Sequence, residues 1–342
     1  MNPFYKRFPK WTFGILSALL IVSMTACATP PEVEQGGQDD PIVFADAGWD
    51  SLRFHNSVAQ AIIENGYGLK TDVTPGSTPN TLTGLEQGDI DVYMEIWTGN
   101  VKDQWEKILK SGNVERVSTN FDDNRQGFYV PTYMIKGDKK RGIEPMAPDL
   151  KTVQDLTRYK DLFKDPENPG KSRIIGSPTG WAVDGILEQK VKTYGLDKDF
   201  TYFRPGSDAA LTSSLTDAYE KGEPWVGYYW EPTWVMGKYD MTLLEEPAYD
   251  EKAWEDGYGT AFPKQPVEIA IHKSLQDRAP EVVEFLKKYK TSAELTNEAL
   301  AYMQDNDASS DEAAQWFLKE HEEVWTQWVP DDVAAKVKES LK

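Results

Sequence analysis

The apolar residues of this chain change their spacing repeatedly, from alternation to a three-and-four rhythm and back, and few folds accommodate that. "PIVFADAG" (41–48) reads as a strand, "SLRFHNSVAQAIIENG" (51–66) as an amphipathic helix closed by Gly66, and "LKTDVTPG" (69–76) as the next strand. "NTLTGLEQG" (80–88) follows as a helix and "DIDVYMEIW" (89–97) as a strand. Strands interleaved with helices predict parallel sheets covered by helices, because a parallel connection needs a crossover long enough to return the chain. The rhythm resumes at "SRIIGSPTG" (172–180), with a helix from Trp181 to Tyr194, then "FTYFRPG" (200–206), a helix from Asp208 to Glu220, and "PWVGYYWEP" (224–232).

Two α/β lobes follow from this pattern. The segments "LEQGDIDVYMEIW" (85–97) and "YEKGEPWVGYYWEP" (219–232) echo each other, each running from a helix end through Gly and an acidic residue into a strand that reaches a tryptophan. Ligands of open parallel sheets sit at the carboxyl ends of strands, which places Trp97 and Trp230 facing one another across a cleft. "GFYVPTYMI" (127–135) and "PVEIAIHKS" (266–274) are extended runs without the rhythm and read as two crossovers. The first lobe is then discontinuous, residues 42–130 plus 266–342, and the second comprises residues 131–265. The C-terminal segments "PEVVEFLKKY", "AELTNEALAYMQ" and "SSDEAAQWFLKEHEEVWTQW" are helical by spacing. Their Trp316, Trp325 and Trp328 are expected to pack against the first lobe, and Trp225 and Trp234 to be core residues.

The first 26 residues read as a signal peptide: Lys6, Arg7 and Lys10 precede an apolar run from Trp11 to Met24 that is short for a bilayer span. "MTAC" then ends at Cys27, the only cysteine of the chain. It resembles a bacterial lipobox, which implies a lipidated N-terminus, a polar tether over residues 27–41 and an extracytoplasmic protein anchored to the bacterial cell membrane. Met24 stands where leucine is usual, and "ACA" also suits ordinary cleavage and secretion. The net charge of −19 repels nucleic acid, which is not an expected partner.

Catalytic motifs are absent: no GxGxxG, Walker loop, HExxH or GxSxG occurs, and the three histidines stand far apart without metal-ligand spacing. Neither enzyme activity nor a cofactor or metal is expected. Twelve tryptophans, by contrast, need an explanation, above all where "GYYWEPTWV" (227–235) crowds two tyrosines and two tryptophans together. Indole rings stack on sugars and hold cations through their quadrupole. A quaternary ammonium carries charge but no N–H, so an aromatic box is its one strong protein partner.

"YMEIWTGN" (93–100), "GSPTGWAVDG" (176–185) and "YEKGEPWVGYYWEPTWV" (219–235), in this order, resemble the substrate-binding proteins of glycine betaine/proline-type ABC transporters. The resemblance extends over most of residues 42–330. It implies an α/β, two-lobed periplasmic-binding-protein fold, type II-like, with the ligand in the interlobe cleft and an ABC permease as partner. It also implies a box around a quaternary ammonium formed by Trp97, Trp181 and Trp230, with Trp49 a candidate fourth wall. For a ligand carboxylate it implies backbone N–H groups near Ala182 and Val183, where some family members have Gly-Cys. Hydroxyls of Thr98, Ser177 and Thr179, or Arg53, are further candidate donors. The histidine that some members place after the first box tryptophan is missing from "WTGNVKDQW". Glu95, Glu231 and Asp184 add acids that suit the hydroxyl of choline better than the carboxylate of betaine. Glycine betaine ranks first as ligand, ahead of choline, carnitine and trimethylamine N-oxide. A secreted carbohydrate-active enzyme using Glu95 and Glu231 is the rival from another class.

Overall fold

The computed structural model describes residues 40–264 and 266–342. Cys27, the signal-like segment and the tether lie outside the described residues. In chain order the strands are β1 (Ile42–Asp46), β2 (Thr71–Pro75), β3 (Val92–Trp97), β4 (Val114–Phe121), β5 (Arg125–Pro131), β6 (Ser172–Ile175), β7 (Phe200–Phe203), β8 (Gly227–Glu231), β9 (Met241–Leu243) and β10 (Val267–His272). They form two five-stranded sheets, ordered β2-β1-β3-β10-β4 and β7-β6-β8-β5-β9.

The two sheets are built alike. In the first, β1 runs parallel to β2 and β3, and β10 is antiparallel to β3 and β4. In the second, β6 runs parallel to β7 and β8, and β5 is antiparallel to β8 and β9. The sheets are therefore mixed rather than wholly parallel. The runs expected as plain crossovers are themselves strands: β5 opens the second sheet, and β10 returns to the first sheet after the whole of the second has been traversed. Strand β5 already belongs to the second sheet, so the first crossing falls at residues 122–124 and not near 130. Phe128, Tyr129 and Val130 are all buried. A strand covered on both faces shows no alternation, which is why its pairing is hidden in the local pattern.

Helices cover the sheets where the three-and-four spacing places them. The helix Asp50–Ile62 buries Leu52, Phe54, Val58 and Ile62 and joins β1 to β2. The helix Thr78–Gln87 leads to β3 after stopping at Gly88, whose φ of 86° a side chain would oppose. In the second lobe the helices Val183–Thr193 and Asp208–Lys221 repeat these two connections. C-terminal helices pack back on the first lobe: Phe317 meets Phe54 edge-on at 5.5 Å, and Trp328 lies 4.3 Å from Tyr289. Trp325 is fully buried and donates its indole N–H to the Leu318 carbonyl at 2.7 Å. Trp316 stacks on Tyr302 at 4.8 Å and stays partly exposed. Trp225 is core, donating to Ser214 Oγ, whereas Trp234 is only half-buried.

Candidate functional site

Four tryptophans meet between the lobes, two from each. Trp49 follows β1 at the start of the helix Asp50–Ile62, and Trp97 closes β3. Trp181 sits in the turn between β6 and the helix Val183–Thr193, and Trp230 is the penultimate residue of β8. All four line one cavity, together with Ala182 and Val183 at the helix start. Each arrives there because the carboxyl ends of strands in both sheets point into the cleft.

Their rings stand nearly at right angles. Trp181 lies 5.8 Å from Trp49 at an interplanar angle of 83°, and 5.0 Å from Trp230 at 87°. Neighbouring indoles thus form adjacent walls of a box rather than a stack. The space between them is about 40 Å³, room for roughly three waters or one compact headgroup. Trp49 and Trp230 are buried while Trp97 and Trp181 keep partial exposure, so these two sit at the entrance.

Two tyrosines complete the walls and were not anticipated. Tyr228 lies alongside Trp230 at 5.8 Å and 17°, and Tyr93 borders the cavity from β3. A signal was present in the sequence: residues two apart on a strand share a face, so Tyr228 accompanies Trp230 and Tyr93 accompanies Trp97. Thr78, Ile96 and Asn100 finish a lining that contains no Asp, Glu, Lys, Arg or His.

Several expected positions fall outside this lining. Thr98 begins a short turn, and its carbonyl accepts the Val101 N–H at 3.2 Å. Glu231 follows Trp230 on β8, which turns it to the other face; it lies opposite Arg125 and accepts from the Tyr129 hydroxyl at 3.4 Å. Arg53 is drawn to Asp46 at 3.0 Å and Asp50 at 3.4 Å. Ser177 is buried and Thr179 exposed, and neither borders the cavity. Asp184, in the first turn of its helix, is held by Arg204 through both carboxylate oxygens at 2.9 Å and by the Tyr202 hydroxyl at 2.9 Å. Its charge is neutralised away from the box.

Glu95 is placed differently from the other acids. It is fully buried immediately behind the cavity wall, and its Oε1 accepts the Trp97 indole N–H at 2.9 Å and the Ser51 hydroxyl at 3.0 Å. Burial pushes its carboxyl up to about 7, against those two hydrogen bonds, which favour the ionised form. Among the described residues, its Oε2 and the Trp49 Nε1 are both buried without a hydrogen-bond partner.

The lobes touch around the box. Thr78 N–H donates to the Gly180 carbonyl at 3.0 Å, and the amides of Asn100 and Gln126 exchange hydrogen bonds at 3.3 and 3.2 Å. Lys102 of the first lobe reaches Glu251 of the second at 3.0 Å. Among the described residues no group of three or more His, Cys, Asp or Glu is arranged to hold a metal.

Comparison with known proteins adds to this geometry. Residues 40–320 match the model of the family described as the substrate-binding domain of ABC-type glycine betaine transport systems. A glycine betaine/carnitine transport binding protein of Listeria monocytogenes is 26% identical over 168 residues, 49% of this chain and 52% of that protein. The chain thus spans about half the length of that relative. A glycine betaine/proline betaine-binding periplasmic protein of Salmonella typhimurium is 22% identical over 232 residues, 62% of this chain and 68% of that protein. Among solved structures, an ABC-transporter choline-binding protein in complex with choline superimposes with a TM-score of 0.70 at 22% identity, covering 88% of this chain and 98% of that one. A lactococcal protein in its closed conformation with glycine betaine gives 0.68 at 22%, covering 85% and 100%. At these identities the structural likeness establishes the two-lobed fold.

Proposed function

The chain belongs to the family of substrate-binding domains of ABC-type glycine betaine transport systems, and from that premise we propose that its cleft captures a quaternary ammonium osmolyte for an ABC importer. One observation carries the reading: Trp49, Trp97, Trp181 and Trp230 converge from both lobes on a cavity lined without any Asp, Glu, Lys, Arg or His. A cation without N–H groups loses its hydration there and gains ring faces, at about 0.5–2 kcal/mol per ring. The anionic end of glycine betaine would meet the first N–H groups of the helix Val183–Thr193, which have no partner inside the helix. Neutralisation of Asp184 by Arg204 removes the nearest charge opposing it. Choline, carnitine and trimethylamine N-oxide share the onium head and are the alternative ligands.

The family is one of transport proteins, not of enzymes. A carbohydrate-active site is also poorly supported by the geometry, since Glu95 lies behind a wall and Glu231 on the opposite face of β8, so the two do not flank a common space. Calorimetric titration with glycine betaine, choline, carnitine, trimethylamine N-oxide and a set of oligosaccharides tests the reading. Binding of at least one onium compound and of no sugar is expected; sugar binding with indifference to every onium compound overturns it.

Delivery to a permease from the outer face of the bacterial cell membrane, with Cys27 as lipid anchor, belongs to the same proposal. Its support is the lone cysteine after a signal-like run. Cys27→Ala should move the protein from the membrane fraction to the soluble one without changing ligand affinity. Persistence on washed membranes at high salt rejects the anchor.

A further inference from the structure

Glu95 is a carboxyl bonded directly to a wall of the box. Tyr93, Glu95 and Trp97 all lie on β3, whose pairing with β10 shifts register between Tyr93 and Ile96. Trp97 folds back so that its indole N–H meets the carboxylate, and Ser51 approaches from the first turn of the helix Asp50–Ile62. Trp49, the residue just before that helix, also lowers the carboxyl's pKa, although its Nε1 stands outside hydrogen-bonding geometry. One wall of the first lobe is thus bonded to a buried carboxyl that a second wall also approaches.

We propose that Glu95 is a positioning and specificity-determining residue whose protonation state sets the preference of the box between net-cationic and zwitterionic onium ligands. This rests on the reading that the box takes an onium ligand. Ionised, Glu95 holds Trp97 by a charge-assisted hydrogen bond and places a negative charge behind the ring that faces the ligand. A net cation such as choline gains from that charge at full strength. A zwitterion such as glycine betaine gains less, because its own carboxylate is repelled by the same field. Protonated, Glu95 still accepts from Trp97 through one oxygen but offers no charge, and the difference between the two ligands shrinks.

The titration falls in a useful range, since burial pushes Glu95 up to about 7. A bound cation favours the carboxylate, so cation binding below that value must expel a proton, and cation affinity must rise as pH rises through it. The surroundings do not mask this. From the helix Asp50–Ile62, His55 is buried and pushed down to about 3, so it stays neutral, and Arg53 is engaged by Asp46 and Asp50. Tyr93 on β3 and Tyr289 after the helix Pro280–Lys288 are pushed upward and remain neutral. From the second lobe Asp208 faces the site; desolvation and then Asp50 raise it to about 7, and its charge raises Glu95 further.

Asp208 makes a variant control necessary. Glycine betaine and choline are titrated calorimetrically into the whole protein and into Glu95→Gln at pH 6 and pH 8, in two buffers of different ionisation enthalpy. In the wild type the choline-to-betaine affinity ratio should rise on the order of tenfold between the two pH values. Choline binding at pH 6 should release a proton. In Glu95→Gln the ratio should stay at its low-pH value and the proton release should vanish. Glu95→Asp, which keeps the charge but retracts from Trp97, should restore a pH-dependent ratio. A ratio unchanged by Glu95→Gln, or a pH trend that persists in it and so belongs to Asp208, overturns the proposal. Failure of choline, glycine betaine, carnitine and trimethylamine N-oxide alike to bind the wild type overturns the onium reading beneath it.

Discussion

Thr78 donates its backbone N–H across the cleft to the carbonyl of Gly180, 3.0 Å away, in the turn that carries Trp181. The bond ties the start of a first-lobe helix to the loop bearing a second-lobe wall, so it forms only when the lobes are together. Thr78 is the first residue of its helix, a position where proline is tolerated, and Ser77 before it is already extended at φ −74° and ψ 157°. Thr78→Pro therefore removes this donor with little cost to the helix. Loss of this bond, about 0.5–1.5 kcal/mol, together with the proline Cδ meeting the Gly180 carbonyl where the hydrogen was, should speed ligand release by about threefold or more. Thr78→Val, which keeps the N–H and loses only the hydroxyl, separates the latch from the lining. Stopped-flow fluorescence of the box tryptophans reads both; equal release rates in the two variants count against the latch.

Single truncations of the walls follow from the right-angled geometry. Each of Trp97, Trp181 and Trp230 contributes a face that its neighbours cannot replace, so substitution by Ala should weaken onium binding roughly tenfold or more. Trp49→Ala should do the same, and Trp49 and Trp230, the two buried walls, are those whose truncation should also cost stability. Affinity by calorimetry and folding by circular dichroism distinguish these effects.

Asp184→Asn tests whether an acid beside the carboxylate end of the ligand matters. Arg204 and Tyr202 already occupy Asp184 away from the box. Affinity for glycine betaine should change by less than about threefold, while thermal stability should fall by about 1 kcal/mol or less, as for a partly exposed ion pair. A large gain in betaine affinity would show that this charge reaches the ligand after all.

Lys190 and Glu246 carry a different kind of weight. Their ion pair, 2.6 Å long, is buried on both sides. Lys190 also donates to the Thr260 carbonyl and lies over the ring of Phe262 at 4.7 Å. Desolvation lowers the pKa of Lys190 and Glu246 opposes that shift. Removing one partner leaves an uncompensated buried charge, so Glu246→Gln should destabilise the fold by about 3–5 kcal/mol. Urea unfolding measures it. The paired change Lys190→Met with Glu246→Leu should recover much of the loss.

The parts of this molecule legible in sequence are those fixed locally. The helix bound at Gly88 followed from spacing and a glycine stop, whereas the helix expected to close at Gly66 ends at Ile62 and passes through a π-helical turn, Ile63–Tyr67, that Gly68 terminates. The three segments carrying Trp97, Trp181 and Trp230 also stood out, because a tryptophan at a strand end or helix start has few structural uses. What escaped was non-local. Nothing within "GFYVP" says that β5 pairs with β8 and β9 instead of a neighbour in sequence. Glu95 was readable as an acid near a tryptophan, yet only the fold of Trp97 back over β3 reveals which of its faces the carboxylate serves. Thr98 and Glu231 were drawn into the expected site by adjacency to Trp97 and Trp230, where alternation along a strand should have excluded at least Glu231.

The exchange of strands between the sheets also dictates an order of assembly. A nascent chain emerges from its N-terminus, and all five strands of the second sheet lie between residues 125 and 243. The first sheet begins earlier but lacks the strand between β3 and β4 until residues 267–272 have been made. During that interval β3 and β4 present open edges, the kind that invite mispairing. The lobe that starts first therefore finishes last, and Trp97, on the waiting edge, is among the last walls of the box to be secured.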